Sequence, residues 1–189
     1  MTIKPWTILS SKQVLRDSFM GLRTDRCKRE DGHIVEAYHV TELSEWVTVI
    51  PVTDAGNIIL VREYRHAAQV VLTGLPGGAS DPGETDWADV GARELREETG
   101  YVPREMVWVG TCHPNPATQD NRIHYYLALG CTADARQELD PNEEIEVLEM
   151  PYSEFLDYGS LEVQHALHAA GLFYAERYFL KHPHHRPKE

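Results

Sequence analysis

The chain has 189 residues, a length typical of one domain or of one domain with a small additional unit. Its composition, 42% hydrophobic and 25% charged, excludes collagen-like, coiled-coil and wholly disordered chains. The net charge of −12 opposes binding to nucleic acid and to anionic membranes. Three cysteines without a CxxC spacing predict reduced thiols in a cytoplasmic protein. No apolar stretch reaches the length of a signal peptide or a membrane span.

Residues 1–45 are predicted to form an N-terminal antiparallel β region. Asp31-Gly32 lies between the β-type stretches Thr24–Arg29 and Ile34–Val40, an arrangement typical of a hairpin. A second hairpin and three further strands follow in the remainder of the chain. Their predicted ranges are Trp46–Thr53, Ile58–Arg65, Val107–Cys112, Arg122–Leu129 and Ile145–Met150.

Two helices are predicted from residues that recur at helical spacing. The first runs from about Asp86 to Thr99 and ends at Gly100, and the second runs from about Leu161 to Leu180. Strands, a helix, more strands and a closing helix favour an α/β (α+β) fold with helices packed on a mixed sheet. Residues 182–189 are predicted to be a polar tail whose prolines argue against ordered structure.

The informative stretch of the sequence is Gly74–Val102. Glu94, Glu97 and Glu98 are three and four residues apart, so on a helix their carboxylates converge on one side. Grouped carboxylates suit hard divalent cations such as Mg²⁺, which prefers oxygen ligands. A pair of glutamates alone would more simply be a solvated helix face, but the surrounding pattern is much more specific.

That pattern resembles the Nudix box, the signature of the Nudix hydrolases. The matching positions are Gly78, Glu84, Arg93, Glu94, Leu95, Glu97, Glu98 and Gly100. Two departures are present: eight residues instead of seven separate Glu84 from Arg93, and Tyr101 stands where the box has an aliphatic residue. The first departure leaves open where the Glu84 side chain is placed.

Outside the box, the chain resembles the ADP-ribose pyrophosphatase branch of this family. The similar segments are residues 49–54, residues 60–65 and residues 75–78, and Pro116 corresponds to a downstream proline of that branch. The branch often has acidic residues where this chain has Gly74 and Asn121. These two departures fall where proteins of the branch recognise their substrate, so they weaken the assignment of ADP-ribose as substrate more than the assignment to the family.

The resemblance implies a Nudix-type α/β/α sandwich, residues 46–181, preceded by an N-terminal β region that helps to form a homodimer. It also implies Mg²⁺-dependent hydrolysis of a nucleoside diphosphate sugar, with ADP-ribose cleaved to AMP and ribose 5-phosphate as the first choice. Mn²⁺ is the alternative cofactor. The alternatives for function are hydrolysis of another nucleoside diphosphate derivative and a non-catalytic nucleotide-sugar sensor.

The resemblance also implies the roles of individual residues. Glu94, Glu98 and the carbonyl of Gly77 would bind the metal, Glu97 would be a further ligand or a base, and Arg93 would orient the carboxylates. A late loop would supply another catalytic carboxylate, for which Glu143 and Glu144 are candidates against the alternative of a solvated acidic loop. Substrate contacts are implied for Arg65, Arg62 and Pro116, although Arg65 could also be an exposed strand arginine with no role.

Overall fold

A computed structural model describes residues 2–134, 136–159 and 165–188 of the chain. The chain divides into two compact units: Met1–Glu45 with His113–Arg122, and Trp46–Cys112 with Ile123–Glu189. The strands are β1 (Thr7–Arg16), β2 (Gly21–Lys28), β3 (Ile34–Glu42), β4 (Trp46–Val52), β5 (Asn57–Arg65), β6 (Val70–Gly74), β7 (Tyr101–Val102), β8 (Glu105–Cys112), β9 (Ile123–Leu129), β10 (Thr132–Ala133) and β11 (Ile145–Pro151). The helices are α1 (Trp87–Thr99), α2 (Tyr152–Gly159) and α3 (Ala166–Lys181).

The N-terminal unit is an antiparallel sheet in the order β1-β2-β3. The predicted hairpin at Asp31-Gly32 is confirmed, because β2 and β3 pair across it. The guanidinium of Arg23 lies within about 3 Å of the carboxylates of Asp25, Glu42 and Asp120. Since Asp120 belongs to the 113–122 segment, these ion pairs fasten that segment to the sheet.

The second unit contains a mixed sheet in the order β11-β5-β4-β9-β8, with β6 paired to the later half of β5. Strand β4 lies at its centre and runs parallel to β9 from Trp46 opposite Ile123 to Val52 opposite Leu129. The second predicted hairpin is confirmed by the antiparallel pair of β4 and β5. Strand β6 has no counterpart among the predicted elements.

Side chains of β4 alternate between two cores, one on each face of the mixed sheet. Ile50 and Val52 belong to a core that includes residues of α2 and α3. Val47 and Val49 belong to a second core against α1. Helices on both faces of a mixed sheet are the layered α/β arrangement expected from the sequence.

Helix α1 confirms the first helix prediction, and both of its ends are capped. The Asp86 side chain accepts hydrogen bonds from the backbone N–H groups of Ala88 and Asp89, at 3.0 and 3.3 Å. Gly100 follows the last turn with φ 74°, and its N–H donates to the Arg96 carbonyl at 2.8 Å. These caps fix where α1 begins and ends, and with that the side of the helix on which its glutamates lie.

The second predicted helix corresponds to α3, which starts at Ala166. The predicted start at 161–164 lies outside the described residues. Helix α2 has no counterpart among the predicted elements. Among the helices in the described residues, none combines the length and the apolar character that a membrane crossing requires.

The prediction of a tail without ordered structure is wrong for residues 182–188, which contact α3. His182 stacks on Tyr178, and the Tyr178 hydroxyl lies 2.7 Å from Nδ1 of His185. Arg186 forms an ion pair with Glu176 at 2.8 Å. Helix α3 therefore supplies the partners that hold the tail.

The two cores predict how single leucines contribute to stability. Leu95 on α1 is fully buried, whereas Leu180 on α3 is 80% exposed. We expect Leu95→Ala to lower the free energy of unfolding by about 2–5 kcal/mol, because it removes buried methyl groups and leaves a cavity. Leu180→Ala should change it by less than about 0.5 kcal/mol. Urea titrations followed by circular dichroism measure both, and equal effects would contradict this core assignment.

Candidate active site

One open cleft of about 810 Å³ in the second unit gathers most of the residues singled out from the sequence. Helix α1, strand β5, the loop after β6 and the loop before β11 all contribute to its walls. The fold therefore brings widely separated parts of the sequence to one surface. The predicted site residues that line it are Arg65, Gly77, Arg93, Glu94, Glu97, Glu98, Glu143 and Glu144.

The loop Pro76–Gly78 forms the floor of the cleft and runs beside β4. The N–H groups of Val47 and Val49 donate to the carbonyls of Gly78 and Pro76, both at 2.9 Å. Gly77 has φ 150°, and a Cβ there would overlap the Val47 carbonyl. A Cβ on Gly78 would overlap the Glu94 carboxylate. Gly77 is therefore required where the loop passes β4, and a side chain at Gly78 would have to displace the Glu94 carboxylate.

Arg93 forms ion pairs with three carboxylates around it, those of Glu84, Glu94 and Glu97. One of its terminal nitrogens lies 2.9 Å from Glu94 Oε1 and 2.9 Å from Glu97 Oε2. Its other terminal nitrogen lies 3.3 Å from Glu84 Oε2, which also accepts the Asp81 N–H at 2.7 Å. The additional residue between Glu84 and Arg93 thus leaves their pairing intact.

Glu98 is the most buried carboxylate of the cleft, with 7% of its surface exposed. Its Oε2 accepts the Gly77 N–H at 2.9 Å, and no ion-pair partner of Glu98 occurs in the part of the chain described. Burial raises the pKa of Glu98 to about 8, and the charges of Glu94, Glu63 and Glu143 add to the rise. Burial also raises the pKa of Glu94 to about 7, against the effect of the neighbouring guanidinium.

Glu63 is a cleft residue that the sequence analysis missed. It lies two residues before Arg65 on β5, both side chains line the cleft, and they form an ion pair. Burial raises the pKa of Glu63, and Glu143 contributes to the rise. The alternation of a strand places residues 63 and 65 on one face, which was the available signal. Trp46 and Tyr64 add aromatic groups to the lining.

The loop before β11 brings Glu143 and Glu144 to the cleft. Glu143 is held within its own loop, because its Oε2 accepts the Asp140 N–H at 3.0 Å and its N–H donates to the Asp140 carbonyl at 2.9 Å. The charge of Glu143 raises the pKa of Glu94 and Glu98. Glu143 thus interacts electrostatically with the α1 carboxylates Glu94 and Glu98.

Arg62, within the second unit, is not among the residues that line this cleft. Arg62 is exposed on β5, where its guanidinium lies 3.6 Å from the Glu146 carboxylate. Pro116 belongs to the 113–122 segment of the N-terminal unit. Their roles in substrate binding stay predictions from the resemblance.

The donor set of the cleft fits a hard divalent cation. Several carboxylates converge, and the deeply buried Glu98 has no cationic partner among the described side chains. In those same residues, no three His, Cys, Asp or Glu side chains already stand in a metal-binding group. Glu94 and Glu97 are ion-paired with the guanidinium of Arg93. Glu94, Glu97 and Glu98 are the residues that would hold the ion.

Two family profiles match separate parts of the chain. The profile of the NUDIX domain matches residues 44–170. The profile of the nucleoside diphosphate sugar hydrolase N-terminal domain matches residues 6–41. A crystal structure of an ADP compounds hydrolase superposes with a TM-score of 0.82 at 20% identity, covering 96% of this chain and 98% of that chain. This likeness shows the fold.

Two curated relatives align over a shorter stretch. The ADP-ribose pyrophosphatase of Bacillus subtilis (strain 168) is 32% identical over 111 residues, 58% of this chain. The methanol dehydrogenase activator of Bacillus methanolicus is 33% identical over 113 residues, 59% of this chain. Each alignment spans 60% of the relative's own length. Because the NUDIX profile covers most of the chain and includes the carboxylates of α1, this protein belongs to the Nudix family.

Proposed function

We propose that this protein hydrolyses the diphosphate linkage of a nucleoside diphosphate sugar, with ADP-ribose converted to AMP and ribose 5-phosphate. The observation that carries the proposal is the cleft in which the glutamates of α1, Arg65 and Glu143 lie together. The matched N-terminal domain and the name of the Bacillus subtilis relative support a nucleoside diphosphate sugar as substrate. A cytoplasmic location is part of the proposal, and the three free cysteines support it.

In this proposal the acidic cleft binds an anionic substrate with the help of Mg²⁺, or of Mn²⁺, which takes similar oxygen donors. The proposed ligands are Glu94, Glu97, Glu98 and the Gly77 carbonyl. When bound, the cation neutralises phosphate charge and lowers the pKa of a bound water. Arg65 binds a phosphate through its guanidinium, and Glu63 holds that guanidinium at the cleft.

The reaction requires water to attack phosphorus while the bridging P–O bond breaks. The oxygen of water forms the new bond to phosphorus, and its proton passes to a carboxylate. Glu143 is the first choice for that carboxylate, with Glu97 and Glu144 as the alternatives. Arg93 keeps Glu94 and Glu97 in place through its two ion pairs. The products are two monophosphates.

The proposal is tested with a substrate panel that contains ADP-ribose, other nucleoside diphosphate sugars, dinucleotides and coenzyme A. Each compound is incubated with the protein, Mg²⁺ and alkaline phosphatase, and free phosphate is measured. An intact internal diphosphate resists the phosphatase, whereas the monophosphate products do not. Phosphate release from ADP-ribose above a control without the protein, together with AMP formation that a chelator abolishes when the phosphatase is left out, supports the proposal. Release above that control from another compound changes the substrate, and binding without release favours a nucleotide-sugar sensor.

Glu98→Gln is expected to remove most of the metal-dependent turnover without harming the fold. The amide oxygen of the new side chain can still accept the Gly77 N–H, while the carboxylate that would bind the cation is lost. We expect kcat/KM to fall by about a hundredfold or more, which corresponds to ~2.7 kcal/mol. The control is Glu105→Gln, an exposed residue of β8 outside the cleft. Unchanged turnover in a folded Glu98→Gln protein would remove Glu98 from the ligand set.

The two loop glutamates are expected to differ. Glu143→Gln should lower kcat by about a hundredfold if this carboxylate takes the proton from water, whereas Glu144→Gln should lower it several-fold at most. In the Glu143→Gln variant the amide oxygen of the new side chain can still accept the Asp140 N–H, so the loop conformation is preserved. Steady-state kinetics on the active panel compound measures both variants. A larger effect at Glu144 would reverse the assignment.

We also propose that the protein is a homodimer formed through its N-terminal unit. That unit exposes several large apolar side chains, and contiguous apolar surface of this kind marks protein–protein interaction sites. They are Ile3, Trp6, Ile8, Leu9, Val14, Leu15 and Phe19. Light scattering at micromolar concentration should give twice the chain mass of 21.5 kDa. A mass of one chain would contradict the dimer.

A further inference from the structure

The side chain of Gln137 joins three parts of the second unit. Its Nε2 donates to the backbone carbonyl of Glu98 at 2.7 Å and to the backbone carbonyl of Ile145 at 3.3 Å. Glu98 lies in the last turn of α1, and Ile145 is the first residue of β11. Gln137 itself lies just before residues 138–144, the segment that ends with Glu143 and Glu144. One amide group therefore connects both ends of this segment to α1.

The last turn of a helix leaves carbonyl groups without intrahelical donors, and these need partners from elsewhere. The segment after β10 supplies them. The Glu138 N–H donates to the Glu97 carbonyl at 2.8 Å, and the Asp134 N–H donates to the Gly100 carbonyl at 3.2 Å. The side-chain amide of Gln137 donates to the next carbonyl of this turn, that of Glu98. The backbone of the segment is thus docked on the same turn that carries the cleft glutamates.

The two carbonyls that Gln137 contacts adjoin the groups that act in the cleft. One belongs to Glu98, whose side chain accepts the Gly77 N–H. The other belongs to Ile145, which follows Glu144 and ends the segment. Within this segment, the Glu143 side chain accepts the Asp140 N–H. Shortening or removing the amide takes one hydrogen bond from each end of the segment, while the Glu138 N–H bond to the Glu97 carbonyl and the pairing of Ile145 with Glu63 remain. The separation between Glu143 and the carboxylates of α1 then loses a direct restraint.

We propose that Gln137 is a positioning residue, which sets the place of Glu143 relative to the glutamates of α1. This inference rests on the proposed hydrolase function and adds a residue outside the family signature to it. Gln137 touches no reacting group in the proposal and acts through the backbone of its two partners. Misplacement of a catalytic group by about 1 Å can cost about a hundredfold in rate.

Three variants test the inference. Gln137→Leu keeps the size of the side chain and removes both donors. Gln137→Lys keeps a long side chain with several donors and no acceptor, so it can serve both carbonyls. Gln137→Asn keeps the amide but is one methylene too short to reach both. We expect Gln137→Leu to lower kcat by about tenfold to a hundredfold with little change in KM, and Gln137→Lys to recover most of the loss.

Hydrogen exchange gives a readout that does not depend on activity. The amides of residues 138–144 should exchange faster in Gln137→Leu than in the wild type, and Gln137→Lys should restore protection. If Gln137→Leu does not fold, Gln137→Asn takes its place in both measurements. Unchanged exchange in this segment, or a loss of kcat that Gln137→Lys does not recover, would overturn the positioning role. A wild type inactive on the whole panel would overturn the proposed function, while the exchange data would still test the restraint.

Discussion

The close approach of the Pro76–Gly78 loop to helix α1 is the constraint on which the cleft depends. The loop is bound to β4 by backbone hydrogen bonds on one side and to Glu98 by the Gly77 N–H on the other. A Cβ on Gly77 would overlap the backbone of β4, and a Cβ on Gly78 would overlap the Glu94 carboxylate of α1. Backbone contact on both sides leaves little freedom to shift the loop. The position of Glu98 is in this way set by the central strand of the sheet.

The close approach of the loop to α1 also buries Glu98, which disfavours its charged form. Burial and neighbouring carboxylates raise the pKa of Glu98 from an ordinary value of 4.5 to about 8. Because one pKa unit corresponds to about 1.4 kcal/mol, the charged form of this side chain is unfavourable by several kcal/mol. Arg93 offsets the charge of Glu94 and Glu97 but does not pair with Glu98. A divalent cation would relieve this repulsion, which gives the proposed metal dependence a physical basis in the fold.

The features predicted correctly are those whose evidence is local in the sequence. Helix α1 has a capping aspartate, a terminal glycine and glutamates at helical spacing, so both of its ends and the shared face of Glu94 and Glu98 could be predicted. Gln137 could not, because its role depends on the docking of residues 136–144 on α1. Strand alternation links Glu63 to Arg65, but the loop with Glu143 reaches Glu63 only through the β5–β11 pairing. The order of the tail was missed for the same reason, since its partners lie on α3.

Gly74, a departure from the pattern of the ADP-ribose pyrophosphatase branch, lies against a histidine of another element. A Cβ at this position would overlap the imidazole of His168, which α3 places against the end of β6. A side chain at 74 and the ring of His168 therefore exclude one another. Burial lowers the pKa of His168 to about 3, so the ring is neutral at pH 7. Where the branch often has an acidic group, this chain has a neutral ring from another element. The end of β6, beside the loop that leads to Gly77, therefore has no negative charge at position 74.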